Sequence, residues 1–270
     1  MKNKKQVAIV GYGFVGKAYN KMFSDAVIYD EPNKVGSREE VNKCDLALVA
    51  VPTNLKNDGT LDMSIVEDVV SWLETPLILF KSALQPGTID RLVKETGKKI
   101  AVSIEMIGEG NYFLPEKYPN PLDPRQHPML IIGGEEKTAT ACAEFLWDKM
   151  SPGINIQIVT ALEAEIGKLI ENAYGALKVT WANTMFSLTE KSNTNFIKLH
   201  QAFLADSRVD GIHLRTLSWK RGWKSKCWDK DVVALKNYAK TIGANDMFKL
   251  LDAVIELNKE HLTKNISQSA

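Results

Sequence analysis

Apolar positions follow two regimes along this chain. Through residues 1–160, short β-branched or leucine-rich runs at 7–10, 26–30, 46–51, 77–80, 100–103, 129–132 and 154–159 alternate with stretches whose apolar residues recur every three or four positions. Short runs that are apolar throughout, instead of at alternate positions, are strands covered on both faces, and strands alternating with helices build a parallel sheet. From Ala161 the regime changes. Leu162, Ile166, Leu169, Ile170, Ala173, Leu177 and Trp181 recur at helical spacing and predict one long helix over 161–188. Helical patterns continue at 195–204, 232–242 and 246–260, and no later run reads as a strand. The expected fold is α/β: a doubly wound, mostly parallel sheet in residues 1–160, then an all-helical domain in 161–270 built on the long helix.

A length of 270 residues fits one or two domains. With 44% hydrophobic and 25% charged residues, the chain is neither disordered nor fibrous. A net charge of +1 gives no global case for nucleic acid or an anionic membrane surface. Cys44, Cys142 and Cys227 are odd in number and widely spaced, which points away from a disulfide framework and toward a reducing compartment. No apolar segment of signal-peptide length opens the chain, and no run is long enough to span a bilayer. A cytoplasmic protein with no membrane partner is expected.

Gly11-Tyr12-Gly13-Phe14-Val15-Gly16 follows the first strand and opens a helical run near Phe14. In that context the first glycine permits a tight turn, the second lets backbone approach a pyrophosphate, and the third lets helix pack on strand. Asp30 ends the second strand about twenty residues on, where a carboxylate accepts ribose hydroxyls. A Rossmann-type site is expected, and the carboxylate would repel a 2′-phosphate, which favours NAD over NADP. Successive strands deliver Val51, Pro52 and Thr53, then Ser82 and Ala83, then Glu105 and Glu109 to the carboxyl edge of the sheet. That is the ligand-binding edge of such folds, and the first two groups are expected to line the cofactor.

Two constellations carry chemistry farther along. Lys168 and Asn172 are one helical turn apart and share a face, so they could hold a substrate oxygen as its charge grows during hydride loss. Cys227 stands among Lys224, Lys226 and Lys230, where a thiolate able to attack an aldehyde is favoured. Asp231 follows one turn later as a general base for a hydrolytic water. Cys44 and Cys142 lie in apolar settings and read as structural. No metal site is read.

Taken in order, these residues resemble the UDP-glucose/GDP-mannose dehydrogenase family, the nucleotide-sugar 6-dehydrogenases. Lys81-Ser82-Ala83-Leu84-Gln85-Pro86-Gly87-Thr88 is similar to the family's Lys-Ser-Thr-Val-Pro-Pro-Gly-Thr segment, and Cys227, Lys230 and Asp231 are similar to its Cys-Phe-Pro-Lys-Asp. The resemblance implies NAD-dependent oxidation of a primary alcohol to an acid without release of the aldehyde. It implies oxyanion stabilisation by Lys168 and Asn172, a thiohemiacetal and thioester on Cys227, and hydrolysis assisted by Asp231. It further implies that Glu105 and Glu109 position sugar or water, that Arg208 reaches substrate across a homodimer interface centred on the long helix, and that Lys224 and Lys230 meet the substrate.

The chain departs from the family in three places. Ala83 replaces a threonine, only Gly222 remains of the glycine-rich loop before the cysteine, and the sequence ends soon after Cys227, as in a short form without the C-terminal nucleotide-binding domain. The stretch 215–230 also holds six cations and three tryptophans against Asp229 alone. Such a mixture suits phosphate or single-stranded nucleic acid, although core filling by the tryptophans is the simpler reading. Two alternatives to the family reaction stay open: a two-electron 3-hydroxyacid or 6-phosphogluconate type dehydrogenase, and a catalytically weak NAD-binding protein that uses the basic segment for a partner.

Overall fold

The structure is a computed structural model and describes residues 5–104, 107 and 122–265. It divides into two compact units, Met1–Lys168 and Leu169–Ala270. The division falls inside the long helix.

The first unit is a seven-stranded sheet, β1 (Val7–Val10), β2 (Val27–Tyr29), β3 (Leu46–Val49), β4 (Leu77–Phe80), β5 (Ile100–Ile104), β6 (Met129–Gly134) and β7 (Asn155–Val159), in the order β2-β1-β3-β4-β5-β6-β7. All neighbours are parallel except β5 and β6, which pair antiparallel. Helices α1 (Phe14–Met22), α2 (Arg38–Val41), α3 (Ser64–Trp72), α4 (Thr88–Thr96) and α5 (Glu136–Leu146) join the strands. The central apolar runs are buried as expected: Ile9, Leu46, Leu48, Leu79 and Ile132 have no exposed surface and pack with Tyr19, Met22, Cys142 and Leu146. Each such aliphatic side chain contributes about 1.5–3 kcal/mol. The run at 154–159 departs from the expectation, because β7 is an edge strand and Asn155, Ile156 and Gln157 are exposed. The third strand closes at Val49, short of the expected Val51; Ala50 still gives its N–H to Val10, and Pro52 just beyond has none to give.

Helix α6 (Ala161–Lys191) starts where a capping box sets it. The Thr160 hydroxyl accepts the Glu163 N–H and the Glu163 carboxylate accepts the Thr160 N–H. In the second unit the rest of α6 is followed by α7 (Phe196–Leu204), α8 (Trp228–Thr241) and α9 (Asn245–Thr263). Val232, Leu235, Ala239, Leu251 and Val254 are buried where α8 and α9 pack. Among the described residues no strand follows β7, and no helix is long and apolar enough to cross a membrane.

Candidate active site

The glycine loop has the geometry its sequence demands. Gly11 takes φ +92°, and a Cβ there would lie 2.5 Å from the Ala50 carbonyl oxygen; a Cβ on Gly16 would lie 2.0 Å from the Gly11 oxygen. A Cβ on Gly13 would meet nothing within 4 Å, so the backbone there is open to approach from outside. Helix α1 opens at Gly13 with no side-chain cap and no acid in its first turn, which leaves its first N–H groups to an anion. Phe14 and Val15 form that turn. These residues fit the pyrophosphate of a dinucleotide.

Asp30 is buried and already engaged. Its Oδ2 accepts the Tyr12 N–H at 2.7 Å, and its Oδ1 accepts the backbone and side-chain N–H groups of Asn33 at 3.1 and 2.8 Å. Burial pushes its pKa up, but the N–H donors of Tyr12 and Asn33, aided by Lys17, hold it below the usual carboxylate range. The charge expected at this position is therefore present, with its oxygens shared between Tyr12 and Asn33.

At the sheet edge the loops after β3 and β4 are bonded to each other. The Thr53 hydroxyl donates to the Ala83 carbonyl at 2.7 Å, Ser82 donates to the Val51 carbonyl at 2.6 Å, and Gln85 accepts the Leu61 N–H at 3.0 Å. Ser82 is thus committed to backbone and leaves the place of the family threonine to the methyl of Ala83. Glu105 and Glu109 lie outside the described residues. Sequence reading missed Glu165, a buried carboxylate on α6 that accepts the N–H groups of Gly87 (2.6 Å) and Ile89 (2.9 Å) at the start of α4. Burial raises its pKa to about 7 against those hydrogen bonds.

In the second unit three sequence-predicted residues meet. The Asp231 carboxylate, 1% exposed, accepts the Asn172 amide at 2.6 Å and the Lys230 ammonium at 2.6 Å. Cys227 is exposed at the amino end of α8, and Asp231 lies one turn on, its N–H bonded to the Cys227 carbonyl at 3.0 Å. The helix begins at Trp228, ahead of the expected 232, because Ser225 caps it. The Ser225 hydroxyl accepts the N–H groups of Cys227 and Trp228, while Asp229 accepts the Ser225 N–H. Lys168 lies half-buried in the first unit, one turn before Asn172 on α6. Arg208 is exposed and forks onto Asp206 within its own turn.

The basic, tryptophan-rich stretch divides. Trp223 and Arg221 are buried, and Trp228 packs its ring against Trp223 and His213. Trp219 is 67% exposed, and Lys220, Lys224 and Lys226 are also exposed. The tryptophans therefore fill core in part, as the simpler reading expects.

Comparison with known proteins agrees with this arrangement. Residues 33–151 match the NAD binding domain, and residues 162–260 the central domain, of the UDP-glucose/GDP-mannose dehydrogenase family. The UDP-glucose 6-dehydrogenase of Rickettsia bellii is 25% identical over 233 residues, covering 82% of this chain and 51% of that protein. This chain thus spans about half the length of the curated relatives it matches. Among solved structures, a UDP-glucose dehydrogenase from Pyrobaculum islandicum has a similar fold (TM-score 0.77, 20% identity, covering 96% of this chain and 68% of that one). So does a Mycobacterium tuberculosis 3-hydroxyisobutyrate dehydrogenase (TM-score 0.67, 16% identity, covering 95% and 94%). With matches over both units, the chain belongs to the UDP-glucose/GDP-mannose dehydrogenase family and carries its NAD binding and central domains.

Proposed function

We propose that this chain catalyses the oxidation of the primary alcohol of a nucleotide sugar, UDP-glucose or a close relative, to the carboxylic acid, with the aldehyde held on Cys227. The observation that carries this reading is the hydrogen bond from Asn172 to Asp231. It ties the amide expected at the reacting oxygen to the first turn of the helix that Cys227 opens.

Two NAD molecules, bound in succession, each supply one hydride acceptor, the first for the alcohol carbon and the second for the thiohemiacetal. Lys168 and Asn172 stabilise the alkoxide as the alcohol loses its proton. The Cys227 sulfur adds to the aldehyde carbon, and the thiohemiacetal loses its remaining C–H hydrogen as hydride to leave a thioester. The amino end of α8 favours negative charge at that sulfur. Water then attacks the thioester carbon, Asp231 takes the water's proton, and the C–S bond breaks to return the thiolate. Glu105 and Glu109 orient sugar or water, and Arg208, Lys224 and Lys230 meet substrate anions. The test is NADH production by the purified protein with UDP-glucose, UDP-N-acetyl sugars, GDP-mannose and 6-phosphogluconate. A UDP-sugar is expected to turn over fastest, and turnover of 6-phosphogluconate alone contradicts the reading.

The same proposal assigns Asp30 to the adenosine ribose. Asp30→Asn is expected to weaken NAD binding by about tenfold, the cost of losing one charge-assisted hydrogen bond, and to leave NADP binding unchanged or tighter. Fluorescence titration of both cofactors measures this; equal losses for both place Asp30 in loop structure only.

On α6, Ile170, Tyr174, Trp181 and Leu188 recur on one face and are 43%, 58%, 54% and 64% exposed. A continuous apolar stripe of this kind fits the isologous interface of a homodimer. Trp181→Glu is expected to yield monomers in sedimentation velocity, whereas an unchanged sedimentation coefficient places the interface elsewhere.

A second reading, the two-electron dehydrogenase, is favoured by one observation: the 3-hydroxyisobutyrate dehydrogenase fold matches nearly end to end. In that reading Cys227 is dispensable.

A further inference from the structure

We infer that Arg221 and the asparagines Asn183, Asn258 and Asn265 are positioning residues that fix the place of Cys227. The inference rests on Cys227 being the nucleophile.

Arg221 is 3% exposed and points inward. Its Nε donates to Asn183 Oδ1 at 2.7 Å, and its Nη2 donates to the Asn183 carbonyl at 2.8 Å and Ser187 Oγ at 2.9 Å. The guanidinium also covers the Phe186 ring, 4.4 Å from its centre. Asn183 Oδ1 accepts two further bonds, from the Gly222 N–H (3.1 Å) and the Thr216 hydroxyl (2.9 Å). The backbone is held on alternate residues. The N–H and carbonyl of Arg221 exchange bonds of 2.6 and 2.7 Å with the Asn265 amide, and those of Trp223 exchange bonds of 2.7 and 2.9 Å with Asn258. Asparagine side chains thus bond residues 221–223 as a neighbouring strand would. Trp223 anchors the stretch again through its indole N–H on the Thr180 hydroxyl at 3.0 Å.

Only Lys224 separates this clasp from Ser225, which caps the helix that Cys227 opens. The clasp therefore bears on the head of α8 through a single intervening residue of backbone. The clasp also explains the surviving glycine. Gly222 takes φ +73°, and a Cβ there would lie 2.8 Å from Asn258 Oδ1, so the clasp itself excludes a side chain. A fixed polar network stands where the family resemblance implies a glycine-rich loop.

The test compares Asn183→Leu, which keeps the branching at Cγ and removes the shared acceptor, with Asn183→Asp, which keeps the acceptor. Two readouts are taken on folded protein: kcat with KM for NAD, and the rate of Cys227 alkylation by iodoacetamide at pH 7. Misplacing a reacting group by about an ångström costs roughly a hundredfold, so Asn183→Leu is expected to lower kcat by about that factor with KM for NAD unchanged. Alkylation is expected to slow about tenfold as the sulfur leaves the amino end of α8, and Asn183→Asp is expected to restore both rates to within about threefold of wild type. Should Asn183→Leu fail to fold, Asn265→Ala carries the test. It removes only the outer backbone pair, and about tenfold losses are expected. Alkylation at or above the wild-type rate in every folded variant overturns the inference. Alkylation is read without turnover, so that result is distinct from failure of the nucleophile assignment, which Cys227→Ser tests.

Discussion

Replacing Cys227 with serine is expected to lower turnover with the true substrate by about a thousandfold, equivalent to ~4 kcal/mol of barrier, and to leave NAD binding intact. A serine hydroxyl at the head of α8 stays protonated near neutral pH and is a far weaker nucleophile than a thiolate. An aldehyde formed in the first oxidation would then stay bound but uncaptured, and turnover would stall after one hydride transfer. The other two cysteines cannot compensate. Both are buried, and burial raises the Cys44 thiol's pKa and pushes that of Cys142 up to about 12. Steady-state NADH formation by wild type and variant checks this, and rates within twofold of each other would move the protein to the two-electron reading.

The second large effect is on stability. Glu165→Ala is expected to destabilise the first unit by about 4 kcal/mol, since it strands the buried N–H groups of Gly87 and Ile89 at a cost of roughly 1–3 kcal/mol each and leaves a cavity. The neutral variant Glu165→Gln isolates the charge. The folded carboxyl titrates at about 7, above its ordinary 4.5, because burial outweighs its N–H donors and Asp90 adds repulsion. Between those pH values the folded chain binds more protons than the unfolded one. The stabilising contribution is therefore full below 4.5 and is lost as pH rises through 7. Relative to Glu165→Gln, the wild type should lose about 3 kcal/mol between pH 4.5 and 8. His261 works in the opposite sense: burial, with help from Arg221 and Lys264, lowers its pKa to about 4, so its contribution falls away in acid. Its effect is common to both proteins and cancels in the comparison. Urea unfolding of the two at pH 4.5 and 8 tests the assignment, and parallel pH dependences would refute it.

The central strands β1, β3, β4 and β5 were legible because each is a short apolar run buried on both faces, and α6 because its capping box and apolar period agree. Glycine spacing located the turn at Gly11 and the helix contact at Gly16. What escaped notice were polar side chains that act inside. Glu165 reads as one more helix-surface acid, since nothing local shows that it caps the start of a helix far away in sequence. Asn183 lies about three turns beyond Asn172, on the same face of α6, a hint visible only once that face is known to be buried. Arg221 counts as a surface cation in any charge tally, and its burial depends on a partner set drawn from α6 and from Asn265 just past α9. The early start of α8 was readable in principle from Ser225 and Asp229, whose reciprocal cap moves Asp231 from the linker into the first helical turn.

The central claim is that Cys227 retains the aldehyde through a second oxidation, and counting NADH against substrate consumed tests it most directly. With a limiting amount of the sugar nucleotide that turns over fastest, two NADH per substrate should form, with the acid as product and no aldehyde captured by an added carbonyl trap. One NADH per substrate, with a carbonyl product released into solution, would contradict it.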